Sequence, residues 1–222
     1  MKKRLIFILL ILSYGFAGCK GQTIICITYE TLNKVSTERE SHNKDITILD
    51  INNNTSHFYS KDYERREDVS DSLMQKGYAP AEIDHILRKQ GIRHPSVTYN
   101  VFKNYPQTRK ITITQNCLDN FLYEENMPQM NWTLESQDTT IANYTCNKAT
   151  TTYRGRTWNV YYTLGIPVSD GPWKLCGLPG LILYAQDSRK DFTFQCIGIS
   201  QGNKRPMVLR KEKYKKCTAK SL

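Results

Sequence analysis

Along most of the chain apolar residues alternate with polar ones or gather in β-branched runs, the spacing of strands. Thr23 to Tyr29 is the first such run, and Ile46 to Ile51 and Thr55 to Ser60 are the next two, parted by Asn52-Asn53-Asn54. An asparagine run is turn chemistry, because Asn tolerates left-handed dihedrals and bonds its own backbone. After Gly91 the same spacing resumes over Val97 to Phe102, Lys110 to Thr114, Phe121 to Glu125 and Trp132 to Glu135. Thr151 to Tyr162 reads as two strand halves bent at Gly155, and Leu181 to Ala185 with Phe192 to Ile199 flank the polar turn Asp187-Ser188-Arg189-Lys190, making a hairpin.

Helical spacing is confined to Asp68 through Gln90. Asp68 or Ser70 caps a first helix that runs to Lys76 and stops at Gly77. A second starts with Pro80 near its first turn, carries Ile83, Ile86 and Leu87 on one face, and ends with Arg88 and Lys89 before Gly91. No β-α-β alternation appears. The expectation is a mainly β, antiparallel fold with a helical insertion at 68–90.

The N-terminus changes the picture of where such a fold would work. Lys2, Lys3 and Arg4 precede the apolar run Leu5 to Leu12 and a small-residue site ending Ala17-Gly18-Cys19, the pattern of an export leader over residues 1–18. Of the formal charge of +10 in 222 residues, the leader takes three. From Lys204 onward eight basic residues face one acid, Glu212, so the tail at 204–222 carries the remaining +7 and the body at 19–203 is near neutral. That argues against a nucleic-acid surface and leaves a solvated tail, or one that touches anionic lipid or an acidic partner.

Phe16-Ala17-Gly18-Cys19 resembles a bacterial lipobox, which implies lipidation at Cys19. Six cysteines then remain, Cys26, Cys117, Cys146, Cys176, Cys196 and Cys217, an even set that predicts up to three disulfides in an oxidising compartment. No two stand at C-x-x-C spacing, so neither a redox pair nor a zinc site is expected.

The stretch Trp158 to Leu183 is the most shaped. Leu178-Pro179-Gly180-Leu181 has the residues of a type II turn, which would put Gly180 at positive φ, while Ile166-Pro167 and Gly171-Pro172 fix further bends. Such a loop is either a ligand site or a device for folding the chain. Gly177-Leu178-Pro179-Gly180-Leu181-Ile182 spells the signature of the GLPGLI family of exported bacterial proteins. Cys146 to Ala149, Tyr153 to Arg156, Val160 to Thr163, Ile166-Pro167 and Gly171-Pro172-Trp173 stand in the order that family shows, and Phe121 to Glu124 and Trp132 also fit. The resemblance implies an envelope protein of a Gram-negative bacterium, in the periplasm or at the outer membrane, beside an outer-membrane receptor or transporter. Ile141 to Thr163 also resembles the strand pattern of the lipoprotein-carrier fold, which implies a curved sheet or half-barrel.

Candidate chemistry is sparse. Gly198-Ile-Ser-Gln-Gly202 matches a nucleophile elbow, yet no histidine follows Ser200 and no helix is expected after it. His42, His57, His85 and His94 lack metal-ligand spacing, and Glu124 and Glu125 point to opposite faces of a strand, so no catalytic pair, metal or cofactor is expected. Binding candidates are Arg154 and Arg156, whose forks suit a carboxylate or phosphate, with Trp158, Tyr162 and Trp173. The aromatics are also what a β core needs. The expected function is a non-catalytic ligand- or partner-binding lipoprotein, with an enzyme of unrecognised site or a structural accessory to a transporter as the alternatives.

Overall fold

The computed structural model describes residues 24–36, 39–117, 119–202, 207–209 and 214–218. Three strands open the chain: β1 (Ile24–Ser36), β2 (Arg39–Asn52) and β3 (Thr55–Ser60). Two helices follow, α1 (Lys61–Gln75) and α2 (Pro80–Lys89), then β4 (Tyr99–Lys103), β5 (Lys110–Cys117) and β6 (Asp119–Asn126). The second half is β7 (Thr133–Ile141), β8 (Tyr144–Tyr153), β9 (Arg156–Thr163), β10 (Leu181–Asp187) and β11 (Phe192–Gly202), with the short β12 (Lys215–Lys216) in the tail.

All twelve strands form one sheet in the order β12-β6-β5-β4-β3-β2-β1-β11-β10-β9-β8-β7. Every pairing is antiparallel except that of β12 with β6. The sheet is mainly β architecture as expected, and it does not close into a barrel. It must curve strongly. In a flat sheet the ten steps from β6 to β7, at about 4.8 Å each, would separate those strands by about 48 Å. The connection between them, residues 127–132, reaches roughly 25 Å at full extension. An ion pair from Glu125 on β6 to Arg154 at the β8–β9 turn holds the two wings together across the hollow.

The hollow is the core. Ile27, Tyr29, Leu49, Phe58, Val101, Ile111, Val160, Tyr162, Ala185 and Phe194 line it, all at most 4% exposed, and Ile166, Leu175 and Leu178 from the β9–β10 connection fill it. A smaller cluster of Ile83, Leu87 and Ile92, packed by Val69 and Leu73, joins the two helices.

The helical insertion is longer than the sequence suggests. Ser60 ends β3 and at once caps α1, its Oγ accepting the Tyr63 N–H at 3.2 Å, so the helix begins seven residues before Asp68. Lys61 to Glu67 are nearly all charged and carry no apolar stripe, which is why periodicity missed them. α2 matches its expected limits, with Pro80 in its first turn and the Ala79 N–H bound by Glu82 Oε2 at 2.8 Å. Arg154 (φ 53°) and Gly155 (φ 70°) turn β8 into β9 with both central residues left-handed, the type I′ pattern.

Candidate functional site

The connection from Leu164 to Gly180 is pinned into the hollow by a buried lysine. Lys103, the last residue of β4, follows Val101 in the inward phase, and its side chain is 2% exposed. An ammonium placed there is stable only if all three donors are used. They are used: Nζ pairs with the Asp170 carboxylate and donates to the carbonyls of Gly171 (2.7 Å) and Leu175 (3.1 Å). Asp170 Oδ1 also takes the Gly171 N–H at 2.7 Å.

The six-residue signature serves this seating. Gly177 is the residue at positive φ, 96°, and a Cβ there would stand 3.3 Å from Trp132 Nε1. Gly180 does not have positive φ, and the Leu181 N–H goes to Ile166 O at 3.0 Å instead of closing a type II turn. The expectation for Gly180 is corrected accordingly. Its need for glycine is contact: a Cβ would lie 2.0 Å from the carbonyl oxygen of Thr163, so β9 and the start of β10 could not come together. Leu178, Leu181 and Ile182 are at most 2% exposed, and Pro179 faces solvent.

Where the same connection reaches the rim, its chemistry stays partly open. Trp173 sits at φ 53°, a left-handed conformation costly for an aromatic residue, with its ring 5.6 Å from both Tyr153 and Trp158. Lys174 beside it pairs with Glu125 Oε1 at 2.7 Å, donates to the Tyr123 hydroxyl at 3.3 Å, and lies 5.2 Å from that ring's centre. Burial pulls the Lys174 ammonium below the usual lysine range, and burial followed by the Glu125 charge pushes Tyr123 up to about 12. Arg154 takes the other Glu125 oxygen while its side chain remains 46% exposed. Two cations thus share one carboxylate, leaving a net positive charge against an aromatic wall.

The remaining binding candidates lie elsewhere. Arg156 donates from Nη1 to both Asp187 (2.5 Å) and Asp191 (2.7 Å) and covers the Phe192 ring at 4.9 Å. Trp158 and Tyr162, 2% and 4% exposed, are core residues, and Trp158 Nε1 donates to Tyr153 O at 3.3 Å. Cys19 and the leader lie outside the described residues. In the tail, Lys215 pairs with Asp119 and the Cys217 N–H donates to Leu122 O at 3.0 Å, so residues 215–217 dock along β6.

The disulfide expectation is corrected. Cys26, Cys146, Cys176, Cys196 and Cys217 form no disulfide with one another, and the Cys117 side chain lies outside the described residues. Three of them are spread over the core with each sulfur on a nearby carbonyl, Cys146 on Tyr144, Cys176 on Pro128 and Cys196 on Gly198. Burial raises the Cys196 thiol to about 11, which keeps it protonated and unreactive.

No three His, Cys, Asp or Glu side chains gather as a metal site among the described residues. His57 lies on the face of the sheet away from the hollow, stacked 4.1 Å from Phe102, with Nε2 donating to Asn100 Oδ1 at 3.0 Å. Burial drives its pKa down to about 4 against the pull of that hydrogen bond. Ser200 is exposed on a strand, β11, and no helix follows it among the described residues, unlike the setting the elbow motif needs. No helix among the described residues is long and apolar enough to cross a membrane.

No family model matches the chain, and no curated protein matches it. Among solved structures, two of PNGF-II, in space groups C2 and P21, superpose with TM-scores of 0.59 and 0.56 at 13% and 14% identity. The likeness is one of fold. Each match covers 90% of this chain and 32% of the other, so the chain spans about a third of the length of the PNGF-II chain.

Sequence reasoning found Arg154 and Trp173 but missed Lys103, Asp170, Lys174, Tyr123 and Glu125. For Lys103 a signal existed: it sits in the apolar phase of its strand, where a charge needs a partner. For Lys174 and Glu125 the signal is tertiary, because only the curl of the sheet brings β6 to the β8–β9 turn.

Proposed function

We propose that the protein is an exported envelope lipoprotein of the GLPGLI kind, anchored at Cys19, that binds an anionic ligand or the anionic group of a membrane partner without chemistry of its own. The observation that carries this is the rim, where Arg154 and Lys174 share Glu125 beside Trp173 and the Arg154 side chain stays 46% exposed. Arg154 is held by Glu125 and by the Tyr153 side chain, and an incoming carboxylate or phosphate meets its exposed part with aromatic surface next to it. The occurrence of the fold as about a third of the PNGF-II chain supports reading it as a module that serves other machinery. An outer-membrane receptor or transporter is the partner the family resemblance favours.

Native mass spectrometry of the protein taken from its own envelope tests the reading. The wild type is expected to carry a bound anion that Arg154→Ala loses, and to carry acyl mass on Cys19. Identical spectra for the two proteins would overturn the binding site, and an unmodified N-terminus would overturn the anchor.

A further inference from the structure

β11 is half-paired. Its first residues have neighbours on both sides, with Tyr184, Ala185 and Gln186 of β10 opposite Gln195, Phe194 and Thr193. From Cys196 to Gly202 the described residues offer it β1 alone. A bulge causes the parting. Thr28 faces Gly198 and Tyr29 faces Cys196, so Ile197 is the extra residue that turns the strand away from β10.

The two sides of this parting are treated differently. On the β10 side the backbone is satisfied: the Leu181 and Ile182 N–H groups go to Ile166 O and Asp170 O, both at 3.0 Å, and Tyr29 donates its hydroxyl to Ile182 O at 2.6 Å. On the β11 side a notch of about 530 Å³ opens instead, lined by Ile197, Gly198 and Ile199 and walled opposite by Ala142, Asn143 and Tyr144. Ile197 is 53% exposed within it.

Exposed strand edges are usually guarded by charge, proline or irregularity. The outer edges of this sheet are guarded in that way. β7 carries Glu135 and Asp138 with a register break between Leu134 and Asp138, and β12 is Lys215-Lys216. Cys196 through Gly202 has no charged residue and no proline, and neither has Ala142 to Tyr144.

We propose that Cys196–Gly202 is a docking edge for an extended, uncharged peptide segment of a partner protein, which adds as a strand in the notch and lays an apolar side chain on Ile197 and Tyr144. Main-chain hydrogen bonds along the half-paired edge supply the affinity, and the uncharged walls set the preference.

The probe is an acetylated and amidated peptide that alternates valine with threonine, followed by hydrogen exchange and calorimetry on the full chain. Saturable binding with slowed exchange confined to 196–202 is expected. The same peptide N-methylated at alternate amides should not bind, and Ile197→Lys should weaken binding by about tenfold or more with an unchanged melting temperature. No saturable binding up to about 1 mM, protection elsewhere, or equal binding of the N-methylated peptide would overturn the proposal. Protection that rises with protein concentration in the absence of peptide would also overturn it, by making the occupant a second copy. The N-methylated arm decides the question even if the lysine variant folds poorly.

Discussion

The β9–β10 connection is fastened at two places by the same chemistry, a lysine on a carboxylate, and the two fastenings behave as different objects. At Lys103 and Asp170 the pair is sealed in the hollow and every donor of the ammonium is spent. At Lys174, Glu125 and Arg154 the cations outnumber the carboxylate, and one of them faces water. Burial with full satisfaction makes a rivet; partial exposure with one charge left over leaves a cation facing water. The identity of the residues does not separate the two cases, and their hydrogen-bond accounting does.

The sharpest way to break this comparison is Lys103→Met, which leaves Asp170 buried without its partner. Urea denaturation should show a loss of about 3–5 kcal/mol, largely recovered when Asp170→Leu is added. A loss below about 1 kcal/mol would mean the inner fastening is no rivet. Next in size is Gly180→Ala, expected to cost about 3 kcal/mol because the methyl group runs into the backbone of Thr163 and rigid backbone yields less than a side chain. A thermal midpoint unchanged by that substitution would contradict the close approach.

A buried polar group on the opposite face extends the test to pH. His57 stays neutral in the fold down to about 4, whereas the unfolded chain protonates near 6.5. Between those values the unfolded state holds more protons, so stability falls as pH drops through the window, by up to about 3 kcal/mol. Denaturation at stepped pH should show that slope, reduced in His57→Gln; equal slopes would assign it to other groups. The smallest effect belongs to the rim. Arg154→Ala should cost less than about 1 kcal/mol, shrinking further in high salt, while abolishing anion capture. If it costs as much as Lys103→Met, the two fastenings are alike and the rim is structural.

Much of this was legible in the order of residues. The strand at Thr55–Ser60, the helix from Pro80 and the hairpin at Asp187–Lys190 follow from local pattern and turn chemistry. Glycine chemistry was legible in kind but misplaced by position: positive φ belongs to Gly177, and Gly180 answers to a carbonyl on a strand seventeen residues earlier. The cysteines misled because an even count says nothing about which sulfurs meet. Arg154 and Trp173 could be singled out from the sequence, but their setting depends on Glu125, which only the curvature of the sheet brings to them.

The strand order also says something about time. β1, the first strand of the described residues, lies in the middle of the sheet, and its partner on one side is β11, with Ile24 opposite Gly202. The two halves of the sheet therefore join through a contact that spans nearly the whole described chain, the kind of long-range pairing that makes folding slow. A chain cut before Phe192 would leave β1 and β10 each with a bare edge and the hollow without Phe194, so no early portion has a stable place to stop. Such a topology leaves the central seam of the sheet open until Phe192 to Gly202 has been made and can lie against β1.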